Sequence, residues 1–243
     1  MKRYYISEKG LDWYIFGNGK DGFGEYAAYI SPYLLSVKKK FESLFGKDIV
    51  NSHLMLAVVY SEGLPQCFSN NNLIFLSSKA AFYQKHVFQY SHELCHFIIS
   101  RPVLPEFQWL EETLCQLMSW VVMLRLHEHR ESYPYQLSMY EQNPQYVETD
   151  MSEAASMCGD KPSAFLSAHL PELEQNCCDR PVNSAIAMAL LPVFTQYPEL
   201  WQLALCLPNF TQDMSLDDAF RAFHTSGLVS EPAFLALFRV LFQ

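Results

Sequence analysis

Positive charge is scarce in this chain, where 17 Lys and Arg stand against 26 Asp and Glu over 243 residues for a formal net charge of -9. The one short basic run, Lys38-Lys39-Lys40, reads as a solvated helix surface, so no stripe suited to nucleic acid is present. Long apolar runs are missing as well: no stretch reaches the roughly 18 residues of a membrane-spanning helix. The chain begins Met1-Lys2-Arg3-Tyr4-Tyr5-Ile6, but Glu8, Lys9 and Asp12 interrupt any apolar core, which is not the pattern of a secretory leader. The 7 cysteines are odd in number and lack CxxC spacing, and the adjacent Cys177-Cys178 are poorly placed for a simple disulfide framework. These absences point to reduced thiols in a cytoplasmic protein without a nucleic-acid or membrane partner. What the chain does have is apolar bulk. It is 50% hydrophobic and 15% aromatic, enough to exclude disorder and to fill a core in one domain or two closely packed ones.

Within that bulk one motif carries chemistry. Residues 92 to 96 read His92-Glu93-Leu94-Cys95-His96, an HExxH pentad. The preceding segment from Phe82 to Tyr90 holds no Pro or Gly, and Leu94, Phe97, Ile98 and Ile99 continue an apolar pattern up to Arg101-Pro102. This pattern predicts an amphipathic helix with the pentad near its middle. Taking His92 as origin, His96 lies at about 40° and Glu93 at about 100°, while Leu94 at about 200° points away with Tyr90. Both imidazoles therefore reach one zinc ion with Glu93 beside them. Cys95, at about 300°, lies on the flank away from Glu93 and reads as a buried small hydrophobe rather than a thiolate ligand.

A catalytic zinc usually takes three protein ligands and keeps one position open. A second helix is expected from Pro105-Glu106, continuing without a breaker through Leu117, Met118, Trp120, Val121, Val122 and Leu124, and its first turns carry the neighbouring acids Glu111 and Glu112. About 100° apart, these two acids do not both aim at one metal. A metzincin continuation fails, because Ile99 and Pro102 stand where that pattern needs Gly and His. The His127-Glu128-His129 cluster lacks pentad spacing and reads as a solvated cap of the second helix.

The pentad followed by a helix opening Trp109-Leu110-Glu111-Glu112 resembles the gluzincin metallopeptidases, the thermolysin and aminopeptidase type, over about residues 50 to 127. The resemblance implies His92, His96 and Glu112 as zinc ligands and Glu93 as general base. It departs at Thr113, where many members have Gly, and no Gly-x-Met-Glu-Asn segment is present. The implied activity is hydrolysis of a peptide or protein substrate. A zinc ion supplies an acidified water and a polarised carbonyl, and Glu93 takes the water's proton and returns it to the leaving amine. Members typically add a Tyr or His that donates to the developing oxyanion, for which Tyr133, Tyr135, Tyr140, Tyr146 and His224 are all candidates.

The rest of the chain sets the expected architecture. Tyr4 to Ile6 and Trp13 to Phe16 read as short strands around Glu8-Lys9-Gly10, and Glu25 to Phe45 as a helix ending at Gly46 despite Pro32. Leu54 to Tyr60 is a strand, and Leu73 to Leu76 a second one after Asn70-Asn71-Asn72. Gluzincins place such a strand at the sheet edge above the zinc, where its unpaired amides hold substrate backbone; an interior position fits these residues equally. Beyond the second helix, Pro181 to Gln196, Leu200 to Cys206, Ser215 to His224 and Pro232 to Phe242 read as short helices. The expectation is an α+β, zincin-like fold: a small mixed sheet with the active-site helices in residues 1 to 130, then a mainly helical subdomain in 131 to 243. Two other functions remain open to the sequence. One is a catalytically idle zinc-binding relative that recruits a partner protein, and the other is a helical interaction module whose pentad is accidental.

Overall fold

The computed structural model describes residues 2–8, 11–17, 23–46, 55–60, 64–77, 82–133, 136–159 and 161–243. The fold is α+β, with a mixed five-stranded sheet and a large helical complement. Contacts divide the chain into two compact units, Met1–Ser100 with Met118–Val147, and Arg101–Leu117 with Glu148–Gln243.

The first unit holds the sheet. Strands β1 (Lys2–Glu8) and β2 (Leu11–Gly17) pair antiparallel, with Tyr5 opposite Tyr14. They match the two short strands expected there, and Lys9 and Gly10 of the expected turn lie outside the described residues. Helix α1 (Phe23–Phe45) contains Pro32 and ends as expected at Gly46, whose positive φ of 88° a residue without Cβ adopts freely, its N–H closing on the carbonyl of Glu42 at 3.0 Å. Strand β3 (Met55–Tyr60) runs parallel to β2, with the expected Leu54 outside the described residues. Then come β4 (Gln66–Phe68) and β5 (Leu73–Leu76), antiparallel to each other, joined by a short 3₁₀ turn at Ser69–Asn71 and by Asn72 in the left-handed region at φ 50°. Asparagine tolerates that conformation better than most side chains, so the Asn run does make the turn. The strand order is β1-β2-β3-β5-β4. Both strands marked by the long apolar runs, β3 and β5, are interior, and the edge next to β5 is the three-residue β4, too short to give a periodic signal.

Helix α2 (Tyr83–Ile99) packs on β4, β5 and α1. Gln89 anchors it to the end of β5, its Oε1 accepting from the Ser77 N–H at 3.1 Å and its Nε2 donating to Ser77 Oγ at 2.9 Å. Helix α3 (Pro105–Glu128) comes next, and in the first unit its Ser119 hydroxyl donates to the Phe88 carbonyl at 3.1 Å. Helix α4 (Leu137–Tyr140) completes this unit together with the start of α5 (Asn143–Cys158), where the buried Asn143 donates to the Met123 carbonyl at 2.9 Å.

The second unit is helical among its described residues. It contains the remainder of α5, then α6 (Pro162–Leu173), α7 (Arg180–Gln196), α8 (Gln202–Cys206), α9 (Leu216–Thr225) and α10 (Glu231–Phe242). Helix α10 packs on α6, α7 and α9, around Ala185, Leu190, Phe220 and Leu237, which are all buried. Starts are well marked. Asp179 caps α7, Ser230 caps α10, and Ser215 forms a capping box with Asp218 on α9. Helices α5 and α6 are not legible in the sequence, because polar and Pro-flanked segments obscure their periodicity. No helix among the described residues is long and apolar enough to cross a membrane.

Candidate metal centre

Helix α2 keeps its helical path through the whole pentad and stops one turn later, at Ser100, whose left-handed φ of 57° turns its N–H back to the His96 carbonyl at 3.2 Å. Tyr90, Leu94 and Cys95 are buried, as their angular positions imply, and Ser91 bonds the Val87 carbonyl within the helix at 2.7 Å. His92 and His96 are half-buried, with ring centroids 5.0 Å apart and Nε2 atoms 3.3 Å apart. Glu93 beside them is only 5% exposed, so its carboxyl sits largely away from bulk water.

His92, His96 and Glu112 form a group whose ligand atoms all lie within 4.8 Å of one another, a group that can hold a metal ion. Its acid is Glu112, not the adjacent Glu111. Zinc geometry provides a test of this donor set. Two imidazole nitrogens at 2.0–2.1 Å from a tetrahedral ion stand about 3.4 Å apart, and the two Nε2 atoms here are separated by 3.3 Å. Two neutral imidazoles and one carboxylate are also a donor combination found in catalytic zinc sites. The residues fit the ion.

The residues that flank Glu112 on α3 are anchored. Thr113 is fully buried and donates to the Trp109 carbonyl at 2.8 Å, and its hydroxyl lies 3.5 Å from Asn183 Oδ1. Gln116, one turn beyond Glu112, donates to Asp150 Oδ2 at 2.7 Å. Asn183 donates in turn to the Cys177 carbonyl at 2.7 Å. The Glu112 carboxylate lies near enough to Cys178 for its charge to act on the thiol. Burial, Cys177 and the negative charge of Glu112 push the Cys178 thiol up to about 12. The Cys177 and Cys178 sulfurs are 3.3 Å apart. Sequence reasoning misses this neighbour of the ligand set. Nothing local marks a cysteine pair 66 residues downstream (178 minus 112) as adjacent to Glu112.

The expected oxyanion donors are dispersed. Tyr133 and Tyr140 belong to an aromatic cluster, their rings edge-on at 5.5 Å, with Tyr33 a further 5.8 Å from Tyr140. Burial raises both phenols, and Ser36 lies beside the Tyr140 hydroxyl. His224 stacks on Phe234 at 4.2 Å. Tyr146 packs against Phe88 at 5.8 Å, and Tyr135 lies outside the described residues. Of the downstream histidines, His129 caps α3 as expected by donating to the Arg125 carbonyl at 2.8 Å, whereas His127 is half-buried and donates to the Tyr140 carbonyl at 3.0 Å. The chain matches no protein-family model and no curated protein.

Proposed function

We propose that the protein is a zinc-dependent peptidase of gluzincin type, its zincin-like part built from the mixed sheet, α2 and the start of α3. The single observation that carries this reading is the gathering of His92, His96 and Glu112, with the Nε2 pair at a separation suited to a tetrahedral ion. Zinc, when bound there, supplies Lewis acidity toward a carbonyl oxygen and toward water. Glu93 accepts a proton from water and delivers it to the amine nitrogen that leaves. Its place in the helix next to His92 and its 5% exposure support this role, since a base shielded from bulk water acts on a water held at the site.

Two further features support a peptide substrate. Among the described residues strand β4 is an edge of the sheet, it packs on α2, and Phe68 on it is 40% exposed, so an extended chain can pair with it beside the pentad helix. Tyr146 is favoured over the other oxyanion candidates because Phe88, which its ring touches, lies one helical turn before His92 on the same face. Tyr146→Phe is expected to lower kcat by about 10-fold to 1,000-fold with zinc content unchanged, as loss of one oxyanion donor does; an unchanged kcat removes Tyr146 from that role.

The decisive test of enzyme against idle zinc scaffold is Glu93→Gln. Turnover on a diverse peptide pool is expected to fall by about 10² to 10⁴ while zinc content and thermal midpoint stay at wild-type values. Equal turnover in the variant removes Glu93 as the base. A wild-type protein that holds zinc and cleaves nothing favours the scaffold.

A further inference from the structure

The negative charge of the chain is not shared between its two units. With histidine neutral, the unit of residues 1–100 and 118–147 carries 12 Lys and Arg against 11 Asp and Glu and stands near balance at +1. The unit of residues 101–117 and 148–243 carries 5 against 15, or -10, so the whole negative excess lies there. Of its five cations, Arg221 is engaged by Asp217 at 2.6 Å. Some of its acids serve the fold: Asp218 completes the capping box of α9, and Glu231 lies in the first turn of α10, where negative charge suits the helix dipole. Others do not. Glu148 is exposed within α5, and Glu172 and Glu174 are exposed at the C-terminal end of α6, where the helix dipole disfavours an acid. An excess of this size also works against the compact state through self-repulsion, so helix stability does not account for it.

The proposed carboxylate ligand Glu112 belongs to this same unit. A substrate held at its metal therefore lies in the field of the unit, and the two positive charges of a bound zinc offset only two of the ten.

We infer that the protein acts on basic peptides, Lys- and Arg-rich chains that the negative field of the second unit draws to the metal. The inference rests on the peptidase reading proposed above. No single acid is required to touch the substrate. The field raises the local concentration of cations and speeds their encounter, an effect of about 10-fold to 1,000-fold on association rates. Exposed charges act over the Debye length, which is about 30 Å at 0.01 M salt and about 3 Å at 1 M. The signature is therefore a preference for positive peptides in kcat/KM that salt abolishes, with kcat unchanged because the chemical step belongs to Glu93 and the metal.

The test incubates zinc-loaded full-length protein with a diverse peptide pool, each member dilute, at about 0.01 M and about 1 M salt. Mass spectrometry follows the decay of each peptide, grouped by net charge. At low salt, net-positive members should decay about 10-fold or more faster than net-negative ones, and at high salt the contrast should shrink to near none. The triple variant Glu148→Gln, Glu172→Gln and Glu174→Gln, which moves the unit from -10 to about -7, should narrow the low-salt contrast by about 2-fold to 5-fold. Its zinc content, Tm and kcat on the fastest basic peptide should stay at wild-type values. Equal decay of basic and acidic members at low salt overturns the inference, as does a contrast that persists unchanged at high salt or a triple variant indistinguishable from wild type. A pool in which no member decays at either salt overturns the peptidase reading and the inference with it, an outcome distinct from cleavage that ignores charge.

Discussion

Glu111 and Glu112 pose the sharpest question among single residues, because neighbouring acids on one helix differ by about 100° in direction and so by their whole chemical role. The geometry gathers Glu112 with His92 and His96. Glu112→Ala is therefore expected to weaken zinc affinity well over 10-fold, and Glu111→Ala to change it little, as read by chelator competition. The reverse ranking moves the ligand to Glu111. The sequence is informative about single residues here for a physical reason: His92, Glu93 and His96 lie within one turn and a half, so their relative directions depend only on helical periodicity. Cys95, placed on the flank by the same arithmetic, is fully buried. Cys178 and Tyr146 are beyond such arithmetic, since their neighbours Glu112 and Phe88 are set by tertiary packing and not by spacing.

Among the elements, the pentad helix is only as well placed as its attachments. Gln89 satisfies both the N–H and the hydroxyl of Ser77, at the end of β5, and is itself 6% exposed. Gln89→Ala leaves that N–H without this partner and is expected to destabilise by about 1–3 kcal/mol, seen as a lower urea midpoint with an unchanged m-value. A change within a few tenths of a kcal/mol shows that the contact does not anchor α2. The long elements are legible in the sequence: α1 to Gly46, α2 to its stop before Pro102, α3 from Pro105, and β3 and β5 by their apolar runs. The short edge strand β4 is not, having three residues and exposure on alternate positions, and it takes the edge role considered for the longer strands. Helices α5 and α6 escape because burial against neighbours, rather than intrinsic periodicity, holds them: Val147, Ala154, Leu166 and Leu173 are buried among otherwise exposed polar turns.

For the molecule as a whole, a metal bound only by the folded chain adds stability by mass action. At free zinc near 100 times its Kd this amounts to about 2.7 kcal/mol, or roughly 5–10 °C in Tm for a chain of this length. Removal of zinc by a chelator should lower Tm by that amount in wild type, and zinc addition should restore it; a Tm indifferent to both contradicts a site formed from the folded protein. The α+β class is legible from the pattern of apolar runs and breakers, whereas the divisions after residues 100, 117 and 147 are not, because the segments of each unit come together only in the folded chain. Everything proposed for function depends on one zinc ion belonging to His92, His96 and Glu112. Zinc per chain, determined by elemental analysis after exhaustive dialysis on wild type and on folded His92→Ala and His96→Ala, measures this without recourse to a substrate. About one zinc in wild type and a strong loss in each variant are expected. Metal-free wild type, or full occupancy in both variants, would contradict the assignment.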